Sequence, residues 1–454
     1  MTIANYLKPI FCFAIMLTLV VILATTAQAK YLTLSEGLDL ALANSPSIIA
    51  AGQDIKTAKS RAKQAVLAWL PQFNLYLNSS YYKKTPFGEN GTGEVEIAPG
   101  IRIPAGFLST SGQEYYDTSM GVSMTQLLLD SGVVSAQIRK AQLNLKLSEL
   151  EFLEAKGQLS LEVTRKYFRL IELGALILLK EAQVVQAEDL LITASRKNNL
   201  EEVGILQVLE NEIELEAAKH ELSMVVEEKQ VTQKEFQRLI GLPLAAELIL
   251  EEEVEPGLAD LDNLEEIVQA TEQNNIDIRK ARLALELKKS EVSLARSDQK
   301  PTATLFGDIS SSKTGEELKD SLKDYDQSRL AGLKVSWPIF DSGQTWNKVI
   351  AAASDVKKSE MDLENTIGKV ALEATNIYNG LLSAMSLLEI TQKKKNLAQE
   401  KLRLAERFYK REKISRNKLR EAEIALAQAV NDELRAKMDY NLNKIKLNVI
   451  KGGS

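Results

Sequence analysis

The chain is written twice. Gly121-Val-Ser-Met-Thr-Gln-Leu-Leu-Leu-Asp-Ser-Gly132 and Gly332-Leu-Lys-Val-Ser-Trp-Pro-Ile-Phe-Asp-Ser-Gly343 each end in Asp-Ser-Gly and open a long polar-apolar helical pattern. The offset is 332 − 121 = 211, and it still holds where Glu212, Ile213 and Leu215 fall on Glu423, Ile424 and Leu426. An offset kept over about ninety residues requires two copies of one hairpin with helices of equal length, which settles the architecture before any single motif does.

Composition agrees with long helices. Gly and Pro together make 33 of 454 residues, below the usual share of about 12%. Length alone suggests about three domains, but each copy reads as one elongated unit with no linker-like composition inside it. Residues 1–29 read as an export signal: Lys8 supplies the positive start, Ile10 to Leu23 the apolar core, and Ala27-Gln28-Ala29 the cleavage site. The mature chain is then expected to start at Lys30. Beyond it no run of eighteen apolar residues occurs, and the longest cluster, Leu173 to Leu179 around Gly174, is too short to span a bilayer as a helix. The single cysteine, Cys12, lies in the signal, so the mature chain has neither disulfide nor thiolate site. Removing the signal takes away one positive charge, Lys8, and moves the net charge from −6 to −7. That balance gives no case for a nucleic-acid partner.

Both copies follow one order: helix, strand, loop, strand, very long helix, return helix. In copy one Thr33 to Ala43 reads as a short helix, broken at Asn44-Ser45-Pro46 with Ser45 as N-cap and Pro46 at the first helical position. The next helix stops at Pro71. In copy two Asn274-Asn275 plays the same part and the helix stops at Pro301, an offset of 230, so copy one carries 19 extra residues, expected in its hairpin loop. Phe73, Leu75 and Leu77 alternate with polar neighbours, as do Met120, Val122 and Met124. In copy two Ala303, Leu305 and Ile309 alternate with Thr304, Phe306 and Asp308, and Arg329 to Trp337 reads as the fourth strand. The stretch from Tyr82 to Gln113 reads as an exposed loop.

The long helices carry heptad stripes. In copy two these are Ile367, Ala374, Leu381, Leu388, Leu402 and Tyr409, broken once by Lys395, and Val370, Ile377, Ala384, Thr391, Ala398 and Ala405. Copy one gives Val163, Leu170, Ile177, Val184 and Leu191. Such repeats impose side-by-side packing with a supercoil. The helix from Ser131 to Asn199 spans roughly 69 residues, or ~100 Å at 1.5 Å per residue.

Four strands per chain constrain the assembly. In a membrane an open sheet leaves unpaired backbone groups in hydrocarbon, each costing several kcal/mol, so its edges must close. The smallest membrane barrels have about eight strands, so one chain cannot close alone. Two chains would give eight strands and three would give twelve.

With these residues in place the chain resembles the outer-membrane efflux proteins of the TolC type, over Tyr31 to Gly452. The marks are the signal, the duplicated layout, and the two strand ends Leu127-Leu-Leu-Asp-Ser-Gly132 and Pro338-Ile-Phe-Asp-Ser-Gly343. Asn44-Ser-Pro46 and Leu419-Arg-Glu-Ala-Glu423 add to them. The resemblance implies a mainly α fold with membrane β. Duplicated long-helix hairpins would form a trimeric α-barrel tunnel capped by a 12-stranded β-barrel, four strands per chain. It divides the chain into signal peptide (1–29), first repeat (30–245), acidic linker (246–262) and second repeat (263–454). It implies a homotrimer in the outer membrane lipid of a Gram-negative bacterium, extending into the periplasm. That trimer would be the passive conduit of a tripartite efflux or type I secretion system, working with a periplasmic adaptor protein and an inner-membrane transporter. No cofactor is implied. The periplasmic entrance would lie at the helix turns, 197–208 and 410–419. There Tyr409 resembles a latch tyrosine and Glu421 one acid of a constricting ring. Lys418 stands where the other acid would be, and Gln207 and Glu210 are the copy-one equivalents.

Catalysis finds no support. His220 is the only histidine, beside Glu221 on a helix, and one histidine without cysteine partners cannot build a usual zinc site. Gly91-Thr-Gly93 lacks the later glycine of a phosphate cradle, and Glu251-Glu-Glu253 is a solvated run. The competing reading is a secreted or periplasmic structural coiled coil, which would have strands polar on both faces.

Overall fold

The structure, a computed structural model, describes residues 30–83, 94–104, 114–246, 248–251, 263–319, 321 and 326–453. The signal and most of the acidic linker lie outside the described residues. Copy one contributes α1 (Leu34–Asn44), α2 (Pro46–Leu67), α3 (Val133–Asn199) and α4 (Ile205–Leu239); copy two contributes α5 (Leu264–Asn274), α6 (Ile276–Ser297), α7 (Gln344–Lys410) and α8 (Arg416–Ile450). The helix lengths are 11, 22, 67 and 35 residues in each copy. Sixty-seven residues make a helix of about 100 Å. Among the described residues no helix is long and apolar enough to cross a membrane.

The chain divides into two compact units, each built from both copies. The first contains α1 and α5, residues 147–199 and 362–410 of the long helices, and the return helices. Its helix ends repeat like its sequence. Gly241 (φ 75°) and Gly452 (φ 84°) close α4 and α8 in the left-handed region, with Leu242 N donating to Gln237 O (2.8 Å) and Gly453 N to Asn448 O (2.9 Å). This is the Schellman closure, which uses carbonyls a helix end otherwise leaves unpaired. A side chain from the preceding short-helix break then binds each closed end: Asn44 Nδ2 donates to Ile240 O (3.3 Å), and Asn275 Nδ2 to Ile450 O (3.0 Å). Asn275 also caps α6, its Oδ1 accepting from Asp277 N (2.8 Å). Ser45, the expected cap in copy one, instead bonds Ser47 Oγ through its hydroxyl (2.8 Å). The two breaks are equally long, and the copy-one equivalent of Asn275 is Ser45, so the bond to the closed helix end falls to the residue before it, Asn44.

Heptad positions fill two cores in this unit. Val163, Leu170, Phe236 and Ile240 meet Leu32 in one; Ala374, Leu381, Tyr440 and Ile450 meet Ile267 and Ile278 in the other. Two strands flank the first core: β1 (Lys30–Leu32) pairs in parallel with β6 (Leu248–Leu250), which falls within the stretch 246–262 expected as a linker. Tyr167 locks them, its hydroxyl donating to Leu32 O (3.2 Å) and Glu251 O (2.8 Å). Burial, with the Glu251 charge nearby, pushes its pKa up to about 12.

The second unit holds the sheet. Strands β2 (Gln72–Lys83), β5 (Glu114–Leu129), β7 (Thr302–Gly315) and β8 (Asp326–Ser336) lie antiparallel in that order. Strands β3 (Glu94–Ala98) and β4 (Ile101–Pro104) form a small separate hairpin. The expected loop 82–113 therefore contains a strand pair. Tyr82 and Lys83 still pair, opposite Tyr115 and Glu114. Sequence alternation missed this because Tyr81, Tyr82, Tyr115 and Tyr116 are aromatic on both faces; stacking across the strands (ring centroids 5.1 and 5.2 Å) extends the ladder.

The register sorts the side chains. Phe73, Leu75 and Leu77 pair with Met124, Val122 and Met120, and these with Gly307, Ile309 and Ser311, on one face. The other face carries Asn74, Tyr76 and Asn78, then Ser123, Gly121 and Ser119, then Asp308, Ser310 and Ser312. Only Ser311 of the polar run Ser310-Ser-Ser312 falls on the apolar face. Leu75 is 83% exposed and Ile309 63%. Among the described residues the outer strands β2 and β8 each keep one edge without a partner.

The duplicated Asp-Ser-Gly is a strand-to-helix joint. Ser131 (φ 59°) and Gly132 (φ 99°), like Ser342 (φ 58°) and Gly343 (φ 78°), are left-handed. Asp130 and Asp341 then cap the long helices, accepting from Gly132 N (3.0 Å) and Gly343 N (3.1 Å) and from the N–H groups of Val134 and Thr345. Hydrogen bonds from the Thr345 hydroxyl and N–H hold the Asp341 carboxyl below its usual pKa.

Candidate functional site

The helix turns lie in the first unit. α3 ends with Glu201 N donating to Asn198 O and Glu202 N to Lys197 O, both 2.9 Å; α7 ends with Glu412 N to Tyr409 O and Lys413 N to Phe408 O, both 2.9 Å. These are again Schellman closures, but the left-handed residue is glutamate: Glu201 (φ 59°) and Glu412 (φ 57°). Glycine adopts this conformation freely, so a glutamate there adds strain. Glu412→Gly should stabilise the chain by about 0.5–1 kcal/mol, the relief of strain exceeding the extra freedom of glycine in the unfolded chain. A lowered melting temperature in that variant would contradict this account.

The five sequence-predicted entrance residues are all exposed at these turns. Tyr409 is in the last turn of α7 and 40% exposed. Lys418 donates its backbone N–H to the N-cap hydroxyl of Ser415 (3.4 Å) and its ammonium to Glu421 Oε2 (3.0 Å). Gln207 accepts at its carbonyl from Asn211 Nδ2 (2.7 Å), and Glu210 stands one turn further on. Among the described residues no hydrogen bond or ion pair joins Tyr409, Gln207 or Glu210 to the Lys418–Glu421 pair. Glu421, expected to resemble one acid of a constricting ring, is matched by the lysine beside it.

The two turns differ sharply in charge. Residues 196–214 hold two basic and five acidic side chains, net −3; the equivalent 407–425 hold seven basic and three acidic, net +4. Sequence reasoning passed over what part of that basic charge does. Arg416 Nε and Arg420 Nε lie 3.2 and 3.5 Å from Asp189 Oδ2, joining α8 of copy two to α3 of copy one. Arg420 also binds Glu423 (2.6 Å), and these carboxylates raise its pKa further. At the copy-one positions equivalent to Arg416 and Arg420 stand Ile205 and Leu209. Comparing the copies residue by residue was the signal that would have found this.

Higher on the same hairpin, the heptad break at Lys395 is explained. Its ammonium reaches Glu433 Oε2 (2.7 Å), and Lys437 reaches the other oxygen (3.2 Å). Glu433 is 4% exposed. Burial raises its pKa, but the two lysines outweigh burial and hold it below the usual value. Among the described residues no group of three His, Cys, Asp or Glu is placed to hold a metal ion.

Comparison with known proteins fits this geometry. The sequence profile of the outer membrane efflux protein family matches residues 37–242 and 267–453. No curated protein sequence matches the chain. Solved structures share the fold. A membrane protein from Pseudomonas aeruginosa is 18% identical with a TM-score of 0.70, over 93% of this chain and 90% of that one. The outer membrane channel CmeC of Campylobacter jejuni is 16% identical with a TM-score of 0.69, over 92% and 85%. The outer membrane protein VceC of Vibrio cholerae is 17% identical with a TM-score of 0.64, over 93% and 96%. The profile covers both copies and most of the chain, so the chain belongs to the outer membrane efflux protein family and is an outer-membrane channel protein, not an enzyme.

Proposed function

We propose that three copies of this chain form the conduit of a tripartite efflux or type I secretion system. The conduit is passive; a periplasmic adaptor and an inner-membrane transporter supply cargo and energy. The observation that carries this is the four-stranded sheet of the second unit. It has one apolar face, one polar face and two unpaired edges. In lipid, edge β8 of one copy must pair with edge β2 of the next until the ring closes. Three copies give twelve strands, with Phe73, Leu75 and Ile309 toward lipid and Tyr76 and Asp308 toward the lumen. Residues 30–245 and 263–454 then act as the two repeats, with 1–29 as leader and 246–262 as linker. The helix turns with Tyr409, Lys418, Glu421, Gln207 and Glu210 form the periplasmic entrance.

The test is detergent extraction from outer membranes, with native mass and electron imaging. A hollow trimer with a stem of about 100 Å is expected from the helix length. A soluble monomer recovered without detergent would sink the reading. The charge at the turns gives a second expectation. Because Lys418 offsets Glu421, Lys418→Gln should shift the reversal potential in bilayer recordings toward cation preference. An unchanged potential would remove this pair from the entrance.

A further inference from the structure

The apolar face of the sheet ends on a slant. On β2 the first polar residue beyond Phe73, Leu75 and Leu77 is Ser79, and on β5 it is Thr118, the partner of Ser79. On β7 it is Ser311, two residues nearer the helix joint than Lys313, which pairs with Thr118. On β8 it is Arg329, two residues nearer the joint than Gln327, which pairs with Ser311. Across three strand steps the boundary therefore drops by about 13 Å over about 14 Å of width. That slope of about 43° lies inside the tilt of roughly 35–45° that barrel strands adopt. In a closed barrel the boundary is level, the rim of an apolar belt.

What stands on the rim differs between the copies. In copy one it is hydroxylic and aromatic, with Ser79, Thr118, Tyr81 and Tyr116, and Lys83 beyond them is neutralised by Glu114 (2.5 Å). In copy two four hydrogen-bond donors adjoin on the outward face: Ser311 opposite Gln327, with Lys313 next along β7 and Arg329 next along β8. Among the described residues no carboxylate pairs with Lys313 or Arg329. The acids of the same two strands, Asp308 and Asp326, fall on the other face, and Glu317, beyond β7, is held by Lys319 (2.7 Å). A cation on the lipid side of a barrel is costly at mid-membrane and tolerated near an interface. Both cations stand at or above the rim.

We propose that Lys313 and Arg329, with Gln327 and Ser311 between them, bind the phosphate of a phosphorylated glycolipid in the outer leaflet, its acyl chains lying along Ile309, Leu305 and Leu333. This rests on the reading of the sheet as part of an outer-membrane barrel with its helices in the periplasm, which turns the rim toward the outer leaflet. A phosphate monoester carries a charge of about −1.5 to −2 at pH 7. Two cations balance it, and the amide and hydroxyl donate to its remaining oxygens. The apolar residues directly below take the chains, so head and tail are recognised together. A phosphodiester head, with a single charge, fits less well. Each chain supplies one site, on its copy-two strands.

The test is native mass spectrometry of the detergent-extracted protein, titrated with diphosphorylated lipid A, with the same lipid stripped of its phosphates, and with phosphatidylglycerol. The trimer should take up lipid A, one per chain, and bind the other two about tenfold more weakly or worse. Lys313→Gln with Arg329→Gln should weaken lipid A binding by roughly thirtyfold, the effect of two basic side chains near a charged lipid surface. Lys83→Gln should leave it unchanged. A trimer of the natural chain that binds lipid A equally well with and without its phosphates overturns the inference and spares the channel reading, and that comparison needs no variant to fold. Equal binding by the natural trimer and the double variant does the same. A monomer by mass overturns both.

Discussion

Replacing Glu433 alone by leucine is expected to destabilise the first unit by about 2–4 kcal/mol, near the lower end of what breaking a buried ion pair costs. The carboxylate is covered, and Lys395 and Lys437 reach its two oxygens at 2.7 and 3.2 Å. Removing it leaves two ammonium groups facing each other without a counter-charge. The lysines keep side-chain exposures of 30 and 27%, so water softens the loss. Copy one supplies the control. By the offset of 211, Lys395, Glu433 and Lys437 correspond to Val184, Leu222 and Val226. The triple change Lys395→Val, Glu433→Leu and Lys437→Val should therefore return to within about 1 kcal/mol of the starting stability, because an apolar trio replaces an ionic one without a desolvation penalty. Denaturant unfolding of the three proteins decides it. A triple variant as unstable as the single one would mean that the charges do more than satisfy each other. The pH dependence has a definite sign. The folded pKa of Glu433 lies below its ordinary value. Its contribution is full above the unfolded carboxyl pKa of about 4.3 and is lost as pH falls through the folded value. The triple variant should lose less stability than the natural chain when acidified below about pH 5.

Gly121→Val should abolish the sheet. A Cβ at this position would lie 2.7 Å from the Tyr76 hydroxyl, 2.8 Å from the Ile309 carbonyl oxygen and 2.9 Å from Ser310 Cβ. The tyrosine crosses strand β5 here, its hydroxyl donating to the Asp308 carboxylate at 3.0 and 3.2 Å on β7. Only glycine on the intervening strand leaves room for it. The ring could swing aside, but the Ile309 carbonyl belongs to the β5–β7 ladder and cannot. The expected cost is about 3 kcal/mol, at the upper end of overpacking effects. Tyr76→Phe in the same chain should fail to rescue it. The readout is the yield of assembled protein in outer membranes. Normal assembly of Gly121→Val would show that the strands can part here.

These two sites show what the sequence made legible and what it hid. The duplication, the heptads and the four strands were readable because each is periodic, and a period needs no partner to be seen. The break at Lys395 was also visible, yet its meaning was not. Glu433 lies 38 residues away on the opposite arm of the hairpin, and only the antiparallel pairing brings them together. Gly121 looked like one more polar-face residue; its role depends on Tyr76 and Asp308, which the register aligns across three strands. Tyr82 and Lys83, at a tyrosine-rich strand end, were read as loop because aromatics on both faces erase the alternation. At the turns, five exposed residues were singled out, while Asp189, Arg416 and Arg420 were not, since their link runs between copies rather than along one.

The short parallel pair of β1 and β6 bears on timing. Lys30 aligns with Leu248 and Leu32 with Leu250, a separation of 218 residues bridged by three rungs and the Tyr167 hydroxyl. A secreted chain emerges from its N-terminal end, so the segment that arrives first waits longest for its neighbour. Leu32, 2% exposed in the finished core, stays uncovered until Leu248 to Leu250 have crossed the inner membrane. Copy one is thus completed by a clasp from the stretch that follows it, and its hairpin matures only as copy two begins to appear. Loop closure over such a distance is slow compared with helix formation. The long helices will be in place well before the clasp shuts, and periplasmic factors that shield apolar segments have that interval in which to act.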